Sequence, residues 1–188
     1  MMTQDFSRQH TWELLCEHTA SESLRKHALS VEAAMRHYAE YYKEDVELWG
    51  RIGLIHDFDY EKYPSAQEHP YKGAEILKSL GWDEDHIRCI MSHASYTGVS
   101  RETQMDKVLF AVDELCGFAT AVALVRPSRK VADVAVKSVK KKLKQKSFAA
   151  QVSREDIQEG ARLLDLPLDE HIQHVLTALS GAAGELGL

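Results

Sequence analysis

Apolar residues recur at spacings of three and four along most of the chain, which is the period of a helix with one buried face. The clearest stripe is Leu24, Ala28, Val31, Met35, Tyr38 and Tyr42. Ser21 is placed to cap that helix, which is expected to run to about Tyr42. A shorter helix is expected from Thr11 to about Ala20, with Trp12, Leu15 and Cys16 on one face. Residues 1–10 read as polar and loosely held. Asp45 is the expected cap of the next helix, where Trp49, Ile52, Ile55 and His56 share a side. Residues 58–68 read as a polar loop, suited to the rim of a site. Pro70 suits the first turn of a helix from Tyr71 to Leu80, and Gly81 ends it. Asp83 opens a helix carrying Ile87, Ile90, Met91 and Ala94, followed by a loop from Ser95 to Arg101.

The longest apolar helix is expected from about Thr103 to Val125, with Val108, Leu109, Val112, Cys116, Ala119 and Ala123 inward. Residues 129–136 read as a connector, and Lys137 to Lys146 as a basic helix anchored by Val136, Val139 and Leu143. A helix capped by Ser153 runs to about Leu166. A last one starts at Pro167-Leu168 and fades near Gly181, leaving a frayed tail. No strand pattern and no repeat is visible, so the expected fold is an all-α bundle of about eight or nine helices. The expected organisation is an N-terminal segment (1–20), a core (21–125) and a C-terminal helical extension packed on it (126–188).

At 188 residues, 44% hydrophobic and 28% charged, the composition is that of an ordinary globular protein. The net charge of −6 disfavours generic binding to nucleic acid. No apolar run approaches ~18 residues, so no membrane span is expected. No leader pattern is read at the N-terminus. Cys16, Cys89 and Cys116 make no metal-binding or disulfide pattern and read as buried thiols, consistent with a cytoplasmic protein.

Ten histidines are many for this length. His27 falls on the buried stripe of its helix, whereas His37 falls off it and reads as exposed. His56 and Asp57 end an apolar helix as an adjacent nitrogen and oxygen donor, a pair suited to a divalent metal. Asp113 sits within an apolar stripe, where a carboxylate is costly unless paired or bound to a metal. His10, His18, His86, His171 and His174 have no such context and read as surface or helix-end residues.

The order His27, then His56-Asp57, then Asp113 resembles that of the HD-domain metal-dependent phosphohydrolases. The similarity covers about residues 20–125 and is strongest over 50–117. It implies an HD-domain helical bundle in which these four residues bind one divalent metal. Members with two metals add histidines in a His-Pro-x-x-Gly-Ala context. Here that context reads His69-Pro70-Tyr71-Lys72-Gly73-Ala74, with His93 following later. The resemblance thus implies six ligands, His27, His56, Asp57, His69, His93 and Asp113. Asp57 would bridge two metals and serve catalysis. The chain departs from a common variant in having Phe58-Asp59-Tyr60 after the His-Asp pair and Ala94 after His93.

The implied cofactor is one or two divalent ions (Mn, Fe, Zn, Co, Ni or Mg) that activate water for attack on phosphorus. The implied substrate is a small phosphorylated molecule, such as a nucleotide. Lys72, Arg126, Lys137 and Lys141 are the candidate phosphate contacts, and Glu114 a candidate partner of a ligating histidine. The expected partners include no nucleic acid and no membrane, and the expected state is monomer or homodimer. Two other readings stand beside hydrolysis. One is a di-iron oxygenase on the same scaffold. The other is a non-catalytic sensor domain that binds metal or nucleotide.

Overall fold

The computed structural model describes residues 6–188; residues 1–5 of the expected loose segment lie outside the described part. Among the described residues ten α-helices follow in order: α1 (Arg8–His18), α2 (Glu22–Tyr42), α3 (Val46–Ile55), α4 (Tyr71–Ser79), α5 (Glu84–Ser92), α6 (Gln104–Leu124), α7 (Val136–Leu143), α8 (Arg154–Leu163), α9 (Leu168–Gly181) and α10 (Ala183–Leu186). Two single 3-10 turns, Ser95–Thr97 and Val131–Asp133, join them. The described residues form no strand, and no helix among them is long and apolar enough to cross a membrane.

The helix starts follow the local chemistry of the sequence. Ser21, Asp45, Asp83 and Ser153 each cap with their own side chain, satisfying N–H groups that have no partner within the helix. Thr103 and Asp106 form a reciprocal capping box on α6. Asp106 is fully buried and also accepts from Arg88 Nη1 at 2.8 Å, so the start of α6 is fixed two turns before Asp113. One start differs from expectation. Ser7 caps α1 three residues earlier than the apolar pattern shows, because the first turn is polar and carries no periodic signal.

Helices α2 and α6 form the centre of the bundle. α3 folds back along α2, and α5, α8 and α9 pack around α6. The α2–α3 contact is close because Gly53 has no side chain. A Cβ there would lie 2.8 Å from Met35 Cγ and 3.0 Å from Val31 O. A buried carboxylate ties the same region together. Glu32, 3% exposed, accepts from Arg8 Nε at 2.6 Å and Arg36 Nε at 3.0 Å.

Several expectations are corrected along the chain. Phe58 and Asp59 are buried, so the loop after α3 is not polar throughout. The tail is not frayed: α10 forms, and Leu186 is 4% exposed. Cys89 and Cys116 are buried as expected, but Cys16 is only half-buried. His37 is not free on the surface, since its Nε2 lies 2.9 Å from His174 Nδ1. His171 is fully buried. Its Nδ1 accepts from Tyr38 Oη at 2.6 Å, and its Nε2–H donates to Ala111 O at 2.9 Å. One neutral imidazole therefore joins α9 to both central helices.

Burial pushes the His171 pKa down to about 4, with the nearby His174 lowering it further and the Ala111 carbonyl opposing. The unfolded chain takes up a proton at this residue below about 6.5, but the folded protein does so only near 4. Stability is therefore expected to fall as pH drops from 6.5 to 4, by up to about 3 kcal/mol from this residue. Urea unfolding of wild type and His171→Phe at pH 7 and pH 4.5 checks this. The variant is expected to be weaker at pH 7 and to lose less stability on acidification.

Candidate metal centre

Five elements bring the six predicted residues together. His27 comes from α2, and His56 and Asp57 from the end of α3. His69 comes from the turn before α4, His93 from the end of α5, and Asp113 from the middle of α6. The donor atoms fall into two groups that can each hold a metal ion. One is His27, His56, Asp57 and Asp113; the other is Asp57, His69 and His93. Within each group the donor atoms lie within 4.8 Å of one another, and Asp57 is shared. His27 Nε2 is 2.9 Å and His56 Nε2 is 3.4 Å from Asp113 Oδ1. His69 Nε2 and His93 Nε2 are each 3.2 Å from Asp57 Oδ1.

The helix ends explain how the imidazoles are aimed. The last carbonyls of a helix lack intrahelical N–H partners. His56 and His93 are both C-cap residues, and each donates Nδ1–H to a carbonyl three residues back: Gly53 O at 2.7 Å and Ile90 O at 2.5 Å. That bond fixes the tautomer and leaves Nε2 free to ligate. His69 is held by a carboxylate instead, with Nδ1 2.8 Å from Asp59 Oδ1. The other oxygen of Asp59 accepts Gly73 N–H at 2.8 Å. Asp59 thus caps α4, whose own N-cap position, Pro70, makes no side-chain bond. Gly73 is required by this arrangement, since a Cβ would lie 2.8 Å from Asp59 Cγ.

Asp59 was not legible as a functional residue. It sits beside the expected pair, but its partners are ten and fourteen residues further on, across a turn without periodicity. Tyr60 and Tyr96 were missed too. The Tyr60 ring meets the His69 ring edge-on at 5.3 Å, and Tyr96 Oη donates to His69 O at 3.0 Å.

The charge balance follows from this crowding. Burial favours neutral His56, but Asp57 and Asp113 outweigh it and raise its pKa to about 9. His69 is likewise raised to about 9 by Asp57 and Asp59 against burial. Asp57 and Asp113 are held well below the usual carboxylate range; burial opposes, but the facing imidazoles prevail. Within this cluster two buried atoms, His56 Nε2 and Asp57 Oδ1, lie close to opposite charges but meet none of them in hydrogen-bond geometry. Unpartnered donor atoms of this type, converging at the centre of a nitrogen- and oxygen-rich cluster, fit a divalent cation. His56, His69 and His93 are buried, whereas Asp57, His27 and Asp113 keep 22%, 22% and 19% side-chain exposure, so the cluster is open on their side.

None of the four cationic candidates has a hydrogen bond or ion pair with the six residues among the described residues. Lys72 pairs with Glu75 at 2.7 Å on the exposed face of α4. Lys137 and Lys141 line a groove with Asp169 and Gln173 of α9 that shares none of the six residues. Arg126 lies beyond the end of α6, and the helix rise alone puts Leu124 roughly 17 Å from Asp113. Among the described residues Glu114 makes no hydrogen bond to a ligating histidine. It accepts Ser153 N–H at 3.2 Å, linking α6 to α8, and burial together with Asp113 raises its pKa to about 7.

A family model described as HD domain matches residues 24–119, just over half of the chain. Comparison with curated proteins and with solved structures gives no match.

Two outcomes follow for metal binding. Asp59→Asn removes the charged acceptor of His69 and is expected to weaken one of two bound metals by about 10- to 100-fold. Equilibrium dialysis with elemental analysis reads this as a stoichiometry falling from two towards one. Metal must also displace the protons held by His56 and His69 below pH 9. Apparent affinity is therefore expected to rise by about tenfold per pH unit per site from pH 7 to 9 and then level off. Calorimetric titration in buffers of differing ionisation enthalpy checks the proton release.

Proposed function

The chain belongs to the HD-domain family, and on that premise we propose that it is a metal-dependent phosphohydrolase. Its reaction is cleavage of a phosphate ester or anhydride in a small phosphorylated metabolite, by water. The observation that carries this reading is the pair of donor groups sharing Asp57, with the unpartnered His56 Nε2 and Asp57 Oδ1 at their centre. His27, His56, Asp57 and Asp113 would hold one ion. Asp57, His69 and His93 would hold a second, with Asp57 as the bridge.

Divalent ions bound there supply a water of lowered pKa and a Lewis acid for phosphoryl oxygen. The chain's own contribution is positional. Backbone carbonyls and Asp59 keep the imidazoles in one tautomer and orientation. Asp57 and Asp113 stay ionised, so either can orient a water on the open side of the cluster or accept its proton. Among the described residues no serine hydroxyl or cysteine thiol is bonded to the side chain of any of the six, which favours direct water attack over a covalent intermediate.

Residues 21–125 then form the catalytic core and 126–188 an extension packed on it. A cytoplasmic setting fits the three free cysteines, two of them buried. The shared carboxylate also suits a di-iron oxygenase, and this second reading is separated from hydrolysis by its need for O₂.

The test is a phosphoester and nucleotide screen under anaerobic conditions with Mn²⁺, Fe²⁺, Co²⁺, Ni²⁺, Zn²⁺ and Mg²⁺. Phosphate release with at least one metal is expected. Asp57→Ala is expected to lose bound metal and more than about 100-fold in rate. Turnover only with iron and O₂ would instead identify the oxygenase. Full metal retention by Asp57→Ala would remove the site assignment.

A further inference from the structure

His27 also lines a cavity of about 590 Å³, the only one of the six residues to do so. Its walls continue the two helix faces that carry His27 and Asp113. Ser23, Lys26 and Ser30 come from α2, and Gly117, Thr120 and Leu124 from α6 at helical steps beyond Asp113. Leu186 and Leu188 form its roof. The size is that of a small-molecule site.

Three features say what it suits. His56, His69 and His93 each have Nδ1 tied to a carbonyl or carboxylate, but His27 Nδ1 has no such partner among the described residues. A Cβ at Gly117 would lie 3.9 Å from that nitrogen, and both residues line the cavity. One imidazole nitrogen beside Gly117 is therefore left for a ligand to bond. Secondly, the charged residues at the rim cancel, since Lys26 Nζ pairs with Glu22 at 2.8 Å. Thirdly, the lining has leucines and small hydroxyl side chains but no phenylalanine, tyrosine or tryptophan. A nucleobase would find no aromatic ring to stack on, whereas an aliphatic chain would bury against the three leucines.

We propose that this cavity takes the aliphatic portion of a phosphomonoester substrate, with the ester end beside His27. The proposal rests on the phosphohydrolase reading and narrows its substrate class. Thr120 and Gly117 are then specificity-determining positions. Gly117 leaves the space beside His27 empty, and Thr120 lines the next helical turn.

The experiment is calorimetric titration of Mn²⁺-loaded protein with n-alkyl phosphonates from methyl to hexyl, which cannot be hydrolysed at phosphorus. Adenosine 5′-monophosphate is run alongside. Affinity is expected to rise by roughly two- to fourfold per methylene. Thr120→Leu is expected to lower hexylphosphonate affinity at least tenfold and to flatten the series. If that variant does not fold, the wild-type series decides. Methylphosphonate binding without any chain-length dependence would overturn the cavity assignment while leaving the phosphohydrolase reading in place. Nucleotide binding tighter than hexylphosphonate would overturn the aliphatic assignment. Failure of every phosphonate to bind would overturn the proposal, and the turnover screen described above would separately show whether the hydrolase reading falls with it.

Discussion

One carboxylate facing four imidazoles is the constraint on which the site depends. Asp57 lies within 4.0 Å of His27, His56, His69 and His93. In an apolar interior such a group is costly unless charge and hydrogen bonding are balanced around it. Without metal the balance comes from protons, which is why His56 and His69 are raised to about 9 while Asp57 is held low. Cations can take over the same role. His56 Nε2 and Asp57 Oδ1 face opposite charges without meeting them in hydrogen-bond geometry, which leaves both open to a cation.

The bundle keeps this balance in register through helix ends. His56 and His93 use last-turn carbonyls that a helix leaves free, and Asp59 uses a free N–H of α4 while holding His69. The cost of ending a helix is offset by the same bonds that aim a ligand. Asp113 is the exception. It sits in the interior of α6, where the capping box at Thr103 and the Arg88–Asp106 pair fix the helix from its start. Gly53 and Gly73 permit the close approaches that bring these pieces together.

Much of this was legible in the chain because helical period separates buried from exposed positions. His27 and Asp113 stood out as polar residues on apolar stripes, and Ser21, Asp45, Asp83, Thr103 and Ser153 marked helix starts that the structure contains. What was not legible depends on distance in the sequence. Asp59 reaches His69 and Gly73 through an irregular turn. His171 is buried by residues 60 and 133 positions away, and nothing in its own helix announces Tyr38 or Ala111. Lys137 and Lys141 suited phosphate by charge and by their place at the edge of the Val136, Val139 and Leu143 stripe, but a stripe on one helix does not say which neighbour it faces. Their groove lies between α7 and α9. The short α10 was read as frayed because four residues are too few to show a period.

The central claim is that Asp57 joins two metal positions. The most direct measurement is anomalous diffraction at the manganese edge from crystals of Mn²⁺-loaded protein. The account predicts two peaks flanking Asp57, about 3.5–4 Å apart as in other two-metal sites. One would lie among His27, His56 and Asp113, and the other beside His69 and His93. A single peak away from Asp57, or none in a crystal that retains bound manganese in solution, would contradict it.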